Sequence, residues 1–206
     1  MSIGLNQSAS TAKSADAVTT TPAELDEALI REVAKGNQLA MRTLFMRHQV
    51  RVYRFVLRMV RDSDLAEDVV SEVFLAVWRR AGRFEGRSAV STWILSIARH
   101  KALTALKPQP NERIDSEMGL MIVDPAPNPE AEIREKDRAA VFRHCVGALS
   151  PEHSEIIDLV YYQQASIKDV ADVLGIPLNT VKTRMFYARK RLATLLSAAG
   201  IDRAPT

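Results

Sequence analysis

The chain has little of what enzymes, secreted domains and membrane proteins depend on. It holds one cysteine, Cys145, in 206 residues. A lone cysteine closes no internal disulfide, which agrees with a reducing compartment. No apolar run approaches the roughly 18 residues of a membrane span, so no membrane insertion is expected. The opening stretch MSIGLNQSASTAKSADAVTT is small and polar without an apolar centre. It reads as a disordered tail over 1–20 and not as a secretory signal, and this puts the chain in the cytoplasm. There is no glycine-rich phosphate loop, no nucleophile elbow and no paired metal-ligand spacing. His144 beside Cys145, with His153 further on, supplies two or three ligands around a helix break, a poor geometry for a metal. The expectation is therefore no catalytic residue, no metal, no cofactor and no small-molecule substrate. Alternating apolar patterns, the mark of strands, are missing as well.

What is present is helix. The composition is 47% hydrophobic and 26% charged, that of a soluble globular protein, and the length suits two domains of modest size. Thr21 to Glu24 spells a capping box with proline at the first helical position, and Gly36 stops that helix. Asn37 caps a longer one through Leu44, His48, Val52, Phe55 and Met59, ending near Asp62. A third covers about 64–81 with Gly82 as its stop, and a fourth covers TWILSIARHKALTALK up to Pro108. Residues 21–107 thus read as one helical domain. The proline- and acid-rich stretch 108–129 reads as a flexible linker carrying an apolar island at Met118 to Val123. A second helical domain is expected over 130–200, opened by Asn128 and Pro129 and restarted at Ser150 and Pro151, with a short tail at 201–206.

The formal net charge of +3 does not by itself select nucleic acid. The order of residues in SIKDVADVLGIPLNTVKTRMF says more. Ser166 and Asp169 resemble a capping box, and Ile167, Val170, Ala171 and Leu174 share one face. Gly175 then allows a left-handed turn, and Pro177 suits a helix start. Two short helices across such a turn form a helix-turn-helix, whose second helix enters the major groove. At about 100° per residue, Val181, Met185, Ala188 and Leu192 stack on one side of that second helix. Asn179, Thr183, Phe186 and Lys190 stack on the other, flanked by Lys182 and Tyr187. Asn and Thr hydrogen-bond base edges, an exposed Phe lies against a thymine methyl, and the bases neutralise phosphate. Arg184 falls near the apolar side and is expected to reach a phosphate or carboxylate without reading a base.

The third helix has an apolar side of Leu65, Val69, Val73 and Ala76, widened by Val70, Phe74 and Val77. Asp64, Glu67, Asp68 and Ser71 fill the rest, with Leu75 and Trp78 among them. Acids in a first turn suit the helix dipole, so a plain charged helix start is one reading. Apolar and aromatic groups beside the acids support the other, a protein-binding face with Trp78 as anchor.

Three stretches in order resemble the sigma-70 family of bacterial transcription initiation factors, in particular its short two-domain extracytoplasmic-function (ECF) subgroup. DLAEDVVSEVFLAVW is similar to region 2.2, RFEGRSAVSTWILSIARHKAL to regions 2.3 and 2.4, and LSPEH through RKRL to region 4. The resemblance implies an all-α fold of two helical domains and a protein that is not an enzyme. Its partners would be core RNA polymerase (beta-prime and beta subunits), promoter DNA and an anti-sigma factor, in a stress response. It assigns Asp64, Glu67, Asp68, Glu72, Leu75 and Trp78 to polymerase. It assigns Arg87, Ser88, Ser91, Trp93, Arg99, His100 and Lys101 to the minus-10 element, with core packing the competing reading of Trp93. The minus-35 set is Asn179, Thr180, Lys182, Thr183, Arg184, Phe186, Tyr187, Arg189 and Lys190. His100, Thr104, Lys107 and Tyr187 depart from residues common in the family. The rival reading is a DNA-binding regulator that uses only the helix-turn-helix.

Overall fold

A computed structural model describes residues 21–107 and 139–200; the expected tails, the linker and the caps at Asn128 and Pro129 lie outside the described residues. Every regular element among the described residues is helical. Helix α1 (Pro22–Ala34) starts at the expected capping box: the Glu24 amide donates to Thr21 Oγ1 at 3.3 Å, and the Thr21 amide donates to Glu24 Oε2 at 2.7 Å. Helix α2 (Gln38–Val60) starts on Asn37, whose Oδ1 accepts from the amides of Leu39 and Ala40, and it ends at Arg61 in the left-handed region. A cap of this kind contributes about 1 kcal/mol. Leu44, His48, Val52, Phe55 and Val56 form the buried row of α2. His48 Nε2 lies 2.8 Å from Asp26 Oδ2, and Arg47 donates to Asp26 Oδ1 at 2.7 Å, which ties α1 to α2.

Helix α3 (Ser63–Arg80) is capped by Asp62 Oδ1 accepting from the Leu65 amide at 2.9 Å. It buries Ala66, Val69, Val70, Val73, Phe74, Ala76 and Val77, and Phe74 meets Phe45 of α2 edge to face at 4.8 Å. Gly82 is not a clean stop. The chain tightens into a 3₁₀ turn over Ala81–Arg83 before going extended at Phe84, a common way for a last helical turn to end. Helix α4 (Val90–Ala105) then packs against both α2 and α3.

In the second domain a helical segment over 139–147 (α5) is followed by α6 (Pro151–Ile157), with proline at its first position. Helix α6 widens into a π-helical turn over Asp158–Tyr162, a feature no local sequence signal announced. Helix α7 (Ile167–Leu174) begins on the Ser166–Asp169 capping box and ends at Gly175 with φ +65. Helix α8 (Leu178–Ala198) starts directly after Pro177. Helix α7 packs on both α8 and α4, so the two domains touch.

A Cβ added at Gly175 meets nothing within 4 Å, so a substitution there is penalised by its backbone angle alone. Gly175→Ala is therefore expected to lower stability by about 1 kcal/mol, read as a shift in the urea unfolding midpoint.

Candidate polymerase and nucleic-acid interfaces

Helix α8 separates its two rows cleanly. Val181, Met185, Ala188 and Leu192 are buried, and Asn179, Thr183, Phe186 and Lys190 are exposed. Phe186 is 64% exposed and Tyr187 55%, and their rings meet edge to face at 5.4 Å. Two aromatic side chains standing in solvent on a basic helix do nothing for the core. Ile167, Lys182, Met185, Phe186, Arg189 and Lys190 line a shallow groove between α7 and α8, apolar at its floor and ringed with cations. Thr183 Oγ1 donates to the Asn179 carbonyl at 3.0 Å, so its hydroxyl is held against the helix and keeps acceptor capacity outward. Thr180 is half-buried. Arg189 lies over the Tyr161 ring at 5.8 Å, and Arg184 turns toward Glu152 at 3.2 Å, the carboxylate contact its place on the wheel suggested.

On α3 the residues Asp64, Glu67, Asp68, Glu72 and Leu75 are all exposed, Leu75 at 48%. Trp78 is only half-exposed and packs against the core, so its ring is shared between the interior and the surface. Leu75 thus stands in solvent within a row of acids.

The residues ahead of and along α4 divide. Arg87 is exposed and pairs with Glu85 at 3.1 Å, Ser88 and Ser91 are half-buried, and His100 is exposed. Trp93 packs edge to face on Phe84 at 5.4 Å, leaving it half-buried. Packing accounts for part of the ring, and the rest stands at the surface. Lys101 Nζ donates to Glu72 Oε2 at 2.8 Å, linking this surface to the acidic face of α3. Arg99 faces the second domain, where it donates to Glu155 from Nε at 2.6 Å and from Nη2 at 3.2 Å.

That contact belongs to a seam that sequence reasoning missed. Arg51 of α2 donates to both the side-chain and backbone oxygens of Gln163, and Arg58 of α2 pairs with Asp158 while its guanidinium stacks on Tyr162 at 4.7 Å. Thr92 Oγ1 donates to Asp169 Oδ1 at 2.9 Å. Burial raises the Asp169 carboxyl, but hydrogen bonds from Ser166 and Thr92 outweigh it and hold the group below its ordinary value. The opposite holds at Asp158, 5% exposed: burial pushes its carboxyl up to about 6 against the pull of Arg58 and Gln163, and Glu155 adds to the rise.

A carboxyl that protonates more readily in the folded state adds stability that is complete below its unfolded value of 3.8 and is lost as pH rises through about 6. From pH 8 to pH 5, Asp158 is thus expected to add about 1 kcal/mol to unfolding stability. His48 runs the other way: burial depresses its pKa, so it weakens the fold as acid charges it. Urea unfolding at both pH values for the native chain and Asp158→Asn isolates the carboxyl, since His48 is common to both.

A helical bundle with an acidic outer face, packed beside a helix-turn-helix with a polar, aromatic and basic outward row, defines a two-part DNA-binding protein whose regular elements, among the described residues, are all helices. Comparison with known families agrees: the models described as Sigma-70 region 2 and Sigma-70, region 4 match residues 44–109 and 139–192. The ECF RNA polymerase sigma factor SigK of Mycobacterium sp. (strain KMS) is 30% identical over 164 residues, spanning 77% of this chain and 84% of the relative. SigK of Mycobacterium tuberculosis (strain ATCC 25618 / H37Rv) is 29% identical over 176 residues, spanning 84% and 94%. Among solved structures, CnrH in complex with the cytosolic domain of CnrY has the same fold, with a TM-score of 0.62 and 24% identity over 84% of this chain and 98% of that one. RpoE from Bartonella quintana, in complex with the anti-sigma factor NepR, gives 0.60 and 22% over 79% and 98%. The chain belongs to the sigma-70 family, as an RNA polymerase sigma factor of the extracytoplasmic-function group. It is a transcription initiation factor and not an enzyme, and the two regions it contains are those that bind core RNA polymerase and promoter DNA.

Proposed function

We propose that α3 docks this factor on core RNA polymerase through Asp64, Glu67, Asp68, Glu72, Leu75 and the exposed edge of Trp78. The loop before α4 and α4 itself hold the opened minus-10 element, with Arg87, Arg99 and Lys101 on the backbone. Ser88 and Ser91 meet a displaced base, and Trp93 stacks at its edge. Helix α8 reads the minus-35 element through Asn179, Thr183, Phe186 and Lys190. The observation that carries the reading is the outward row of α8, polar, aromatic and basic, opposite a fully buried apolar row. The factor works in the cytoplasm and is held inactive by an anti-sigma factor. Support for such a regulator comes from CnrH, solved with the cytosolic domain of CnrY, and from RpoE, solved with NepR.

The test is crosslinking in holoenzyme reconstituted from core polymerase and this chain, with a photoreactive amino acid at Lys182 in one preparation and at Ser88 in another. Lys182 should crosslink to upstream duplex and Ser88 to the melted strand near the start site; labelling of one and the same segment from both positions would contradict the assignment. Affinity capture from native cells should recover a regulator in addition to polymerase, and recovery of polymerase alone argues against anti-sigma control.

A further inference from the structure

Residues next to each other on a helix point about 100° apart and do not ordinarily touch. Phe186 and Tyr187 break that rule, with ring centroids 5.4 Å apart and ring planes at 77°. The local reason lies one turn back. Helical side chains lean toward the N-terminus, over the residues three and four positions before them, so Phe186 and Tyr187 both lean over Thr183. Thr183 is short, and its hydroxyl is held down on the Asn179 carbonyl at 3.0 Å. The space above it is left for two rings to meet. Both stand in solvent, so their contact is no by-product of core packing.

The opposite side of Phe186 offers its ring a competing position. Met185 lies on that side, and with Ile167 of α7 it supplies the apolar floor of the groove that Phe186 also lines. A ring turned down onto that floor leaves water, which the hydrophobic effect favours, and it also leaves the outward row. An edge-to-face pair favours the outward position by about 2-fold to 12-fold. We propose that Tyr187 is a positioning residue for the reading of DNA by α8: its ring holds the Phe186 ring up, away from the groove, where it meets a base. The inference rests on the reading of Phe186 as a contact to a thymine methyl in the upstream element. A lone exposed side chain changes rotamer within nanoseconds, and Tyr187 supplies the restraint that such a ring lacks. Discrimination then scales with the fraction of chains whose Phe186 ring stands outward, and ordering the ring before DNA arrives removes a cost from binding. One residue touches the base, and its neighbour acts only through it.

The test uses holoenzyme reconstituted from core polymerase and the full chain, bound to a duplex that it transcribes and to copies in which each upstream thymine in turn is replaced by uracil. For the native chain one replacement should weaken binding. Tyr187→Ala should weaken binding to the all-thymine duplex by about 2-fold to 12-fold and leave that one replacement with little further effect. Tyr187→Phe keeps the ring pair and should match the native chain on every duplex. A second readout is taken in the free chain, with 4-fluorophenylalanine in place of Phe186. Its fluorine resonance, shifted by the neighbouring ring, should move in Tyr187→Ala and stay in Tyr187→Phe. Tyr187 is exposed, so neither change reaches the core, and circular dichroism checks the helices. Equal weakening by Tyr187→Ala on every duplex, with the response to the one thymine kept, makes Tyr187 a general backbone contact and overturns the proposal. So does a Tyr187→Phe chain that behaves as Tyr187→Ala, since the hydroxyl and not the ring then matters. A fluorine resonance indifferent to Tyr187→Ala overturns it as well. A native chain indifferent to every uracil replacement, with a resonance that still answers to Tyr187→Ala, shows the rings paired but sinks the reading of Phe186, and the role of Tyr187 falls with it.

Discussion

Asp68→Lys is expected to weaken association with core RNA polymerase at least tenfold. Asp68 is exposed on α3 in the row that runs from Asp64 through Glu72 to Leu75. A reversed charge there meets the partner's cations with repulsion where attraction is proposed. Close charge pairs across protein interfaces couple by about 1.5 to 7 kcal/mol, and the low end of that range is already a tenfold change in dissociation constant. The fold should tolerate the change. Asp68 lies past the first turn of α3, where the helix dipole has faded, so a lysine there does little to the helix itself. Co-elution with core enzyme on size exclusion and a fluorescence titration read the result, and circular dichroism confirms the helices. Association equal to that of the native chain would remove Asp68 from the interface.

Phe186→Ala should cost roughly 1 to 3 kcal/mol of discrimination, about 5-fold to 160-fold, at a single base pair of the upstream element. The side chain is 64% exposed, so little core is lost with it. Lys182→Ala, at an exposed cation flanking the outward row of α8, should behave differently: it weakens binding to all sequences alike and lowers the salt dependence by about one phosphate. The contrast separates reading from attraction on one helix. Holoenzyme binding to promoter fragments with thymine replaced by uracil refines the test. If Phe186 lies against a thymine methyl, one substituted position mimics Phe186→Ala and shows no further loss in the variant. Uniform weakening across sequences by Phe186→Ala would make it a general contact with no reading role.

The sequence carried the local rules well. Capping boxes at Thr21 and Ser166, the Asn37 cap and the left-handed Gly175 are signals set within four residues of where they act, and the helices begin and end on them. The two rows of α8 also follow from periodicity alone, because a helix that packs on one side sorts its residues by angle. Where periodicity is coarse the reading blurred. Trp78 sits near the boundary of the buried arc of α3, and only the packing of its neighbours decides that half the ring is covered. The π turn at Asp158–Tyr162 went unread, since its one extra residue shifts the apolar row by about 100° and the chain leaves the helix within a few residues of it. The seam was invisible for a stronger reason. Arg51 and Gln163 lie 112 positions apart and Arg99 and Glu155 lie 56 apart, and nothing in the periodicity of either helix names its partner. Arg99 accordingly reads as a free DNA contact from sequence, and in the structure its fork is engaged by Glu155.

The most direct test of the central claim is in-vitro transcription with purified core polymerase, this chain and a library of random upstream sequences, followed by sequencing of the templates that yield transcripts. The account predicts transcripts only when the chain is added, from templates that share two conserved blocks, an upstream one altered by Phe186→Ala and a downstream one altered by changes at Ser88 and Ser91. Duplex binding by the helix-turn-helix with no transcript above core polymerase alone would contradict it and would make the chain a regulator that uses only its second domain.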